Sequence, residues 1–363
     1  MENNVQHKRF GRDESAIETR FDAQRIAFSP VVFQATRILL KTGLLHVVEQ
    51  CGTLGTTVGE ASAKSGLPEY VTTVLLECGL SADLFKYENE RFVITPLGGF
   101  IRRDEMTAIN IDFMHEVCYA GLFALDEALM RGEPAGLRAF GNWKTVYEAL
   151  GQLPEAAKNA WLRFDHFYSD AAFPAASRIV FESKPKSLLD IGCNTGKWAL
   201  RCLSTSPDVH VTLVDLPAQL EMAAKNLRAK GVEHRTTPNP LDVLDLQAEF
   251  PAGFDGVWMS QFLVCFSEEQ VKSILARAAR AAKSNGRIWV LDTFWDRQRF
   301  DAAAYCLINT SPYFTTIANG NSRMYKFTDI LALARSVGLE LQNIHDNLGI
   351  YHSLVEFVPR DVR

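Results

Sequence analysis

Short apolar runs recur along the second half of the chain. They fall at residues 188–191, 211–215, 256–260 and 287–292, and each is followed by a longer stretch of helical period. Runs of four to six apolar residues alternating with helices predict buried, mostly parallel strands of an α/β sheet. Residues 268–283 form one such helix, followed by the turn Ser284-Asn285-Gly286. The end differs: residues 339–345 and 351–358 flank Asn347-Leu348-Gly349, which predicts two strands joined by a short turn. A closing hairpin puts an antiparallel strand on an otherwise parallel sheet.

The first half has another pattern. Residues 31–40 are apolar on nearly every helical face, as in a helix buried against a neighbour or a second chain. Residues 57–68 predict a helix, a glycine turn and a proline that opens the next helix. Residues 85–95 predict a hairpin around Glu88-Asn89-Glu90. Helices plus a hairpin make a winged-helix module. Its candidate recognition helix, residues 68–85, carries Glu69, Glu77 and Asp83 and no Lys or Arg. A helix entering the major groove carries basic and amide side chains, so dimerisation is the better expectation. Residues 107–180 are helical and rich in aromatics, above all over 161–170. The expected division is 1–106, 107–180 and 181–363.

With 363 residues, 47% of them hydrophobic and 22% charged, the composition is that of an ordinary globular protein. The net charge of −5 disfavours nucleic acid as the main partner. No apolar run approaches a membrane span, and the charge-dense start is no signal peptide. The seven cysteines form no C-x-x-C pair, which fits reduced thiols of a cytoplasmic protein. The eight histidines show no metal-binding spacing.

The chemistry gathers at Leu189-Asp190-Ile191-Gly192-Cys193-Asn194-Thr195-Gly196-Lys197, a strand, a glycine turn and a helix start. A glycine there admits a ligand close to the backbone, and the free N–H groups of a helix start suit an anion. Asp215, at the tip of the next strand, can accept both hydroxyls of a ribose. A dinucleotide fingerprint needs two further glycines, where Asn194 and Lys197 stand. A P-loop needs four residues between its glycines and Ser or Thr after its lysine; here three intervene and Trp198 follows. What remains is D-x-G-x-x-x-G with a downstream acid.

These residues resemble the class I S-adenosylmethionine (SAM)-dependent methyltransferases. Asp190, Gly192 and Gly196 match the first motif of that family, and Val214-Asp215-Leu216-Pro217 matches the second. With the winged-helix segment, the likeness narrows to the small-molecule O-methyltransferases and covers nearly the whole chain. It implies a Rossmann-like seven-stranded sheet with a C-terminal antiparallel hairpin, behind a mostly helical dimerisation domain. It also implies a homodimer, SAM as cofactor and a small, aromatic or phenolic methyl acceptor. Carried over, Asp190 lies near the methionine ammonium, Gly192, Asn194 and Gly196 form the loop, and Asp215 with Leu216 takes the ribose. Asp242 and Val243 meet adenine, with Asn239 or Asp245 as alternatives to Asp242. Ser260 and Gln261 border the cofactor. Loop capping is an equally good reading of Asp242 and Asp245.

The base is where the sequence departs from this family. A Leu-His-Asp-Trp run supplies the catalytic histidine there; the matching run here is Leu263-Val264-Cys265-Phe266. Cys265 has no basic neighbour in sequence, so a small buried hydrophobe is its better reading. Three accounts follow. His166 with Asp165 supplies the base from the helix that roofs the pocket. Alternatively, the acceptor is a carbon or nitrogen that needs positioning alone. Or the protein kept the SAM site and changed or lost its reaction, as a cofactor-sensing regulator. A winged-helix transcription factor is the weakest reading. Phe164, Tyr168, Phe266, Asn309, Tyr313, Asn321 and Met324 are the expected acceptor contacts, since aromatics with a few amides suit a flat ligand.

Overall fold

The computed structural model describes residues 15–360, so the expectations for the first fourteen residues lie outside it. The chain divides into two compact units, one ending at Asp112 and one beginning at Phe113. The first holds α1 (Ala16–Lys41), α2 (Leu44–Gln50), α3 (Val58–Ser65) and α4 (Glu69–Ser81). The hairpin β1 (Phe85–Glu88) and β2 (Arg91–Ile94) follows, then α5 (Pro96–Arg103) and the start of α6 (Glu105–Phe113). Ser15 and Glu18 close a capping box that fixes the start of α1. In the hairpin turn, Asn89 and Glu90 both have positive φ, +50° and +63°, as a two-residue turn between twisted strands requires. Leu39, Leu44, Leu45, Val48, Leu76 and Phe85 build the core of this helix-and-hairpin unit.

Four α-helices precede the sheet in the second unit: α7 (Leu125–Arg131), α8 (Val146–Ala149), α9 (Glu155–Ser169) and α10 (Phe173–Val180). Then strands and helices alternate: β3 (Ser187–Ile191), α11 (Lys197–Thr205), β4 (His210–Asp215), α12 (Pro217–Ala229), β5 (Thr236–Pro240), β6 (Phe254–Ser260), α13 (Glu268–Ala281) and β7 (Ala282–Asp292). The chain ends with α14 (Asp301–Tyr313), α15 (Phe327–Ser336) and the hairpin β8 (Leu339–Leu348) and β9 (His352–Pro359). Strand order is β5-β4-β3-β6-β7-β9-β8, with β3 to β7 parallel and β9 antiparallel to both neighbours. This is the expected parallel sheet with its antiparallel closure. The turn expected at Ser284-Asn285-Gly286 is instead part of β7, which starts at Ala282.

Alternation along the central strands splits the core in two. Leu189, Ile191, Val257, Met259, Ile288 and Val290 pack on one face. Leu188, Asp190, Trp258, Trp289 and Leu291 stand on the other, where Trp258 stacks on Trp198 of α11 at 3.7 Å. Buried aromatic pairs of this kind add about 0.5–1.5 kcal/mol beyond the area they bury.

Candidate active site

The winding of the sheet reverses between β3 and β6, and ligands of such sheets bind at the carboxyl ends of the strands near that reversal. Gly192 follows β3 with φ +77°, and a Cβ there would stand 2.2 Å from the Phe262 ring. Gly196 has φ +76° as N-cap of α11. Between them, the Asn194 backbone N–H donates to Asp215 Oδ2 at 2.8 Å, and Leu216 N–H donates to Asp215 Oδ1 at 2.8 Å. The acid at the end of β4 therefore ties the loop after β3 to the start of α12. Burial pushes the Asp215 carboxyl above its usual range, against the pull of those two donors.

Asp190 has a different setting from the expected one. It points to the tryptophan face, between Leu213 and Trp258 in register, and is 2% exposed. Its Oδ2 is sealed without a partner, and burial with the nearby Asp215 charge holds the carboxyl well above its usual range. The buried hydroxyls of Thr195 and Ser260 likewise lack partners. Polar oxygens left without partners around these strand ends fit a site that a polar, hydroxyl-bearing cofactor completes.

On the adenine side, Asp242 and Asp245 are exposed, and each caps its own turn, accepting from Leu244 and Gln247 N–H at 2.9 Å. Val243 is half-buried against the core. The loop is held by Arg277 of α13, a residue the sequence reading missed. The residue is 2% exposed, and its guanidinium stacks over Phe250 and donates to the carbonyls of Val243, Asp245 and Ala248. An arginine mid-helix reads as a solvated face unless the loop opposite is known to carry free carbonyls.

The residues expected to contact the acceptor come from remote segments. Phe113 stacks on Phe164 of α9 at 4.0 Å and meets the edge of Tyr313 at 5.0 Å. The Tyr313 hydroxyl, buried at the end of α14, accepts from Trp161 Nε1 at 2.7 Å. Tyr168 packs on Phe164 and Tyr351. Phe266 and Met324 are 7% and 6% exposed in the same core, and the Phe266 carbonyl accepts from Tyr325 Oη at 2.6 Å. Asn309 and Asn321 are not brought into this cluster. Both are exposed; Asn309 caps back to the Tyr305 carbonyl, and the Asn321 N–H donates to Asn319. Asn319 is the amide that points inward, donating to the Cys265 carbonyl.

Val264 is 6% exposed and packed among apolar side chains. Burial pushes the Cys265 thiol up to about 12, which removes it as a base at neutral pH. His166 does not pair with Asp165: its Nδ1 lies 3.5 Å from Asp170, which also binds Lys197. Asp165 turns the other way, where its carboxylate accepts from Asn194 Nδ2 at 3.2 Å and Gln261 Nε2 at 3.3 Å. Burial raises its pKa, against the lowering effect of the neighbouring His166. The sequence reading also missed Asp292, the last residue of β7. It is 1% exposed and, alternating with Val290, faces the side of the sheet that holds Val264. Its Oδ1 accepts from Thr293 N–H at 2.8 Å, and burial pushes its pKa up to about 7. An acid ending a central strand was legible; its desolvation was not.

Comparison with known proteins agrees with this geometry. A Dimerisation2-like domain matches residues 20–92 and a methyltransferase domain matches residues 189–288. The L-tyrosine C(3)-methyltransferase of Streptomyces lavendulae is 23% identical over 272 residues, 74% of this chain and 73% of its own. The N,N-dimethyltransferase OxyT of Streptomyces rimosus is 29% identical over 238 residues, 64% of this chain and 65% of its own. The structure of the S-adenosylmethionine-dependent methyltransferase SibL superposes with a TM-score of 0.69 at 23% identity, covering 93% of this chain and 98% of SibL. With the two domain matches in this order and methyltransferases among its relatives, the chain is a SAM-dependent methyltransferase of the small-molecule family that carries an N-terminal dimerisation domain.

Proposed function

We propose that the chain methylates a ring carbon of a small phenolic acceptor. The observation that carries this reading is Val264, a buried apolar side chain at the position where the resembling O-methyltransferases place their base. Transfer to a hydroxyl oxygen wants that oxygen's proton removed as the new bond forms. A ring carbon beside a phenolic hydroxyl draws its nucleophilicity from the ring and loses its own proton after the bond is made. The similarity to an enzyme named for C(3) methylation of L-tyrosine supports the same choice.

When bound, SAM supplies an electrophilic methyl carbon on a sulfonium. The chain's own part is alignment and exclusion of water. Phe164, Tyr168, Phe266, Tyr313 and Met324 offer flat apolar walls for a ring. Gly192, Asn194, Gly196, Asp215 and Leu216 hold the ribose side; Asp242 and Val243, fixed by Arg277, hold adenine; Ser260 and Gln261 border the methionine side. Asp292 is our choice for the group that accepts the ring or hydroxyl proton, because its carboxyl is buried on the acceptor face and titrates near neutrality. His166, already held by Asp170, is the alternative.

The same reading gives residues 1–106 the dimer contact, 107–180 the roof and 181–363 the cofactor site, in a cytoplasmic homodimer. Ile17, Phe21, Ile26, Phe28 and Val31 stand more than half exposed along α1, an apolar row that a second copy would cover. No single helix among the described residues is long and apolar enough to cross a membrane.

The test is incubation of the full chain with methyl-13C SAM and a panel of phenols that includes L-tyrosine and catechol. An aryl-methyl carbon resonance in the product supports the reading. A methoxy resonance overturns it in favour of oxygen.

A further inference from the structure

Asp165 spans the crevice where the sheet reverses. One carboxylate oxygen accepts from Asn194 on the loop after β3, the other from Gln261 just after β6. Gln261 is itself fixed. Its backbone, at φ +47°, donates N–H to the Leu291 carbonyl at 2.9 Å, and its Oε1 lies 2.7 Å from His352 Nε2. His352 is fully buried, and burial holds its ring down to about 3, so the ring is neutral. An amide oxygen only accepts, so His352 donates Nε2–H to Gln261. That bond turns the Gln261 NH2 toward Asp165. Elements from three places in the sequence thus aim one carboxylate.

The carboxylate nonetheless has no cation paired to it, although the charges of His166 and Lys197 reach it and pull its pKa down. No salt bridge joins Asp165 among the described residues, and Lys197 and His166 are taken by Asp170. Asp165 is half-buried, and desolvation raises its pKa; two neutral amides compensate such a charge poorly. The missing partner is a cation that enters with a ligand. The proposed function assigns the ribose to Asp215 at the end of β4 and adenine to the loop after β5; the amino-acid end would then extend the opposite way, across β3 to β6. That end carries an ammonium. Asp190, the acid expected there from sequence, is 2% exposed, with its Oδ2 sealed.

We propose that Asp165 is the counter-ion of the cofactor's α-ammonium group, and that Asn194, Gln261 and His352 are positioning residues that hold it in place. The assignment does not depend on the acceptor atom.

The test is calorimetric titration of the full chain and its Asp165→Asn variant with three ligands. SAM carries both sulfonium and ammonium, S-adenosylhomocysteine carries the ammonium alone, and 5′-deoxy-5′-methylthioadenosine carries neither. The variant is expected to bind SAM and S-adenosylhomocysteine about 10- to 100-fold more weakly, the loss of one charge-assisted hydrogen bond. Affinity for methylthioadenosine should stay unchanged, which also shows that the variant is folded. A loss confined to SAM would make Asp165 the sulfonium's counter-ion and overturn the proposal. Equal losses for all three would reduce Asp165 to a structural part of the pocket. Unchanged affinities with lower turnover would make it a base instead. Should Asp165→Asn not fold, Gln261→Leu removes one of the two aiming amides. It is expected to weaken SAM and S-adenosylhomocysteine several-fold and spare methylthioadenosine; a uniform effect or none overturns the proposal. A failure of the ring-carbon reading would show in the product's resonance and leave these affinities untouched.

Discussion

The ends of β3, β4 and β5 and the ends of β6 and β7 lie side by side on one sheet, yet they are built differently. On the ribose side the proposed contacts come from a few contiguous residues. Gly192, Asn194 and Gly196 sit on one loop, and a single acid, Asp215, ties that loop to the next helix through backbone N–H groups. On the proposed acceptor side each aromatic wall comes from a different segment: Phe113, Phe164, Phe266, Tyr313. A universal cofactor demands backbone geometry, which short motifs encode. An individual acceptor demands shape, which only tertiary packing encodes.

The largest effect that would break this comparison is on rate. Asp292→Asn is expected to lower kcat by about 100- to 10,000-fold, the worth of a positioned acid–base group, with SAM affinity unchanged by calorimetry. In the wild type, activity should rise with pH through about 7 as Asp292 loses its proton, and that limb should vanish in the variant. If His166→Ala takes the larger loss, the base lies on α9 instead.

The same carboxyl bears on stability. Its folded pKa, about 7, lies above the ordinary carboxylate value. The folded chain therefore holds a proton that the unfolded chain has released between about pH 4 and 7. Stability is undiminished below that window and falls as pH rises through it, by up to about 4 kcal/mol for a three-unit shift. Asp292→Asn, which stays neutral, should melt higher than wild type at pH 8, with the gap closing toward pH 4. Equal melting temperatures at pH 8 would mean that the carboxyl is not desolvated.

On the cofactor side, Asp215→Ala is expected to cost about 100-fold in SAM affinity, for two hydrogen bonds to a charged acceptor and a loosened loop. Unchanged affinity would remove the ribose from β4 and, with it, the direction assigned to the rest of the cofactor.

How much of this was legible in the chain follows the same divide. The strands, the closing hairpin and the glycine loop were readable because each is a local pattern of period or turn chemistry. The pairing of His166 with Asp170 in place of Asp165 was not, although Asp170 lies one helical turn on, at i+4. Either acid was available by spacing, and only the presence of Asn194 and Gln261 above Asp165 decides. Asn309 and Asn321 failed for a related reason: a polar residue beside aromatics reads as a pocket amide, but both face solvent, and the Asn309 amide donates to the Tyr305 carbonyl one turn back. Arg277 and Asp292 were passed over because what makes them distinctive is burial.

The smallest effect separates packing from recognition on the acceptor side. Tyr313→Phe keeps the ring that meets Phe113 and removes the hydroxyl that accepts from Trp161. The half-buried Trp161 indole N–H would lose its partner, which costs about 1 kcal/mol where water can replace part of the bond. For a unit of this size, each kcal/mol is worth about 2–4 °C in melting temperature. The variant should melt lower by about that much per kcal/mol, with the acceptor's KM nearly unchanged. That outcome would assign the Tyr313 hydroxyl to the wall and leave recognition of the acceptor to shape. A raised KM with an unchanged melting temperature would instead mean that this hydroxyl binds the acceptor directly. The acceptor side would then contain a polar contact as specific as Asp215, and the contrast between the two halves of the sheet would narrow to one of sequence distance alone.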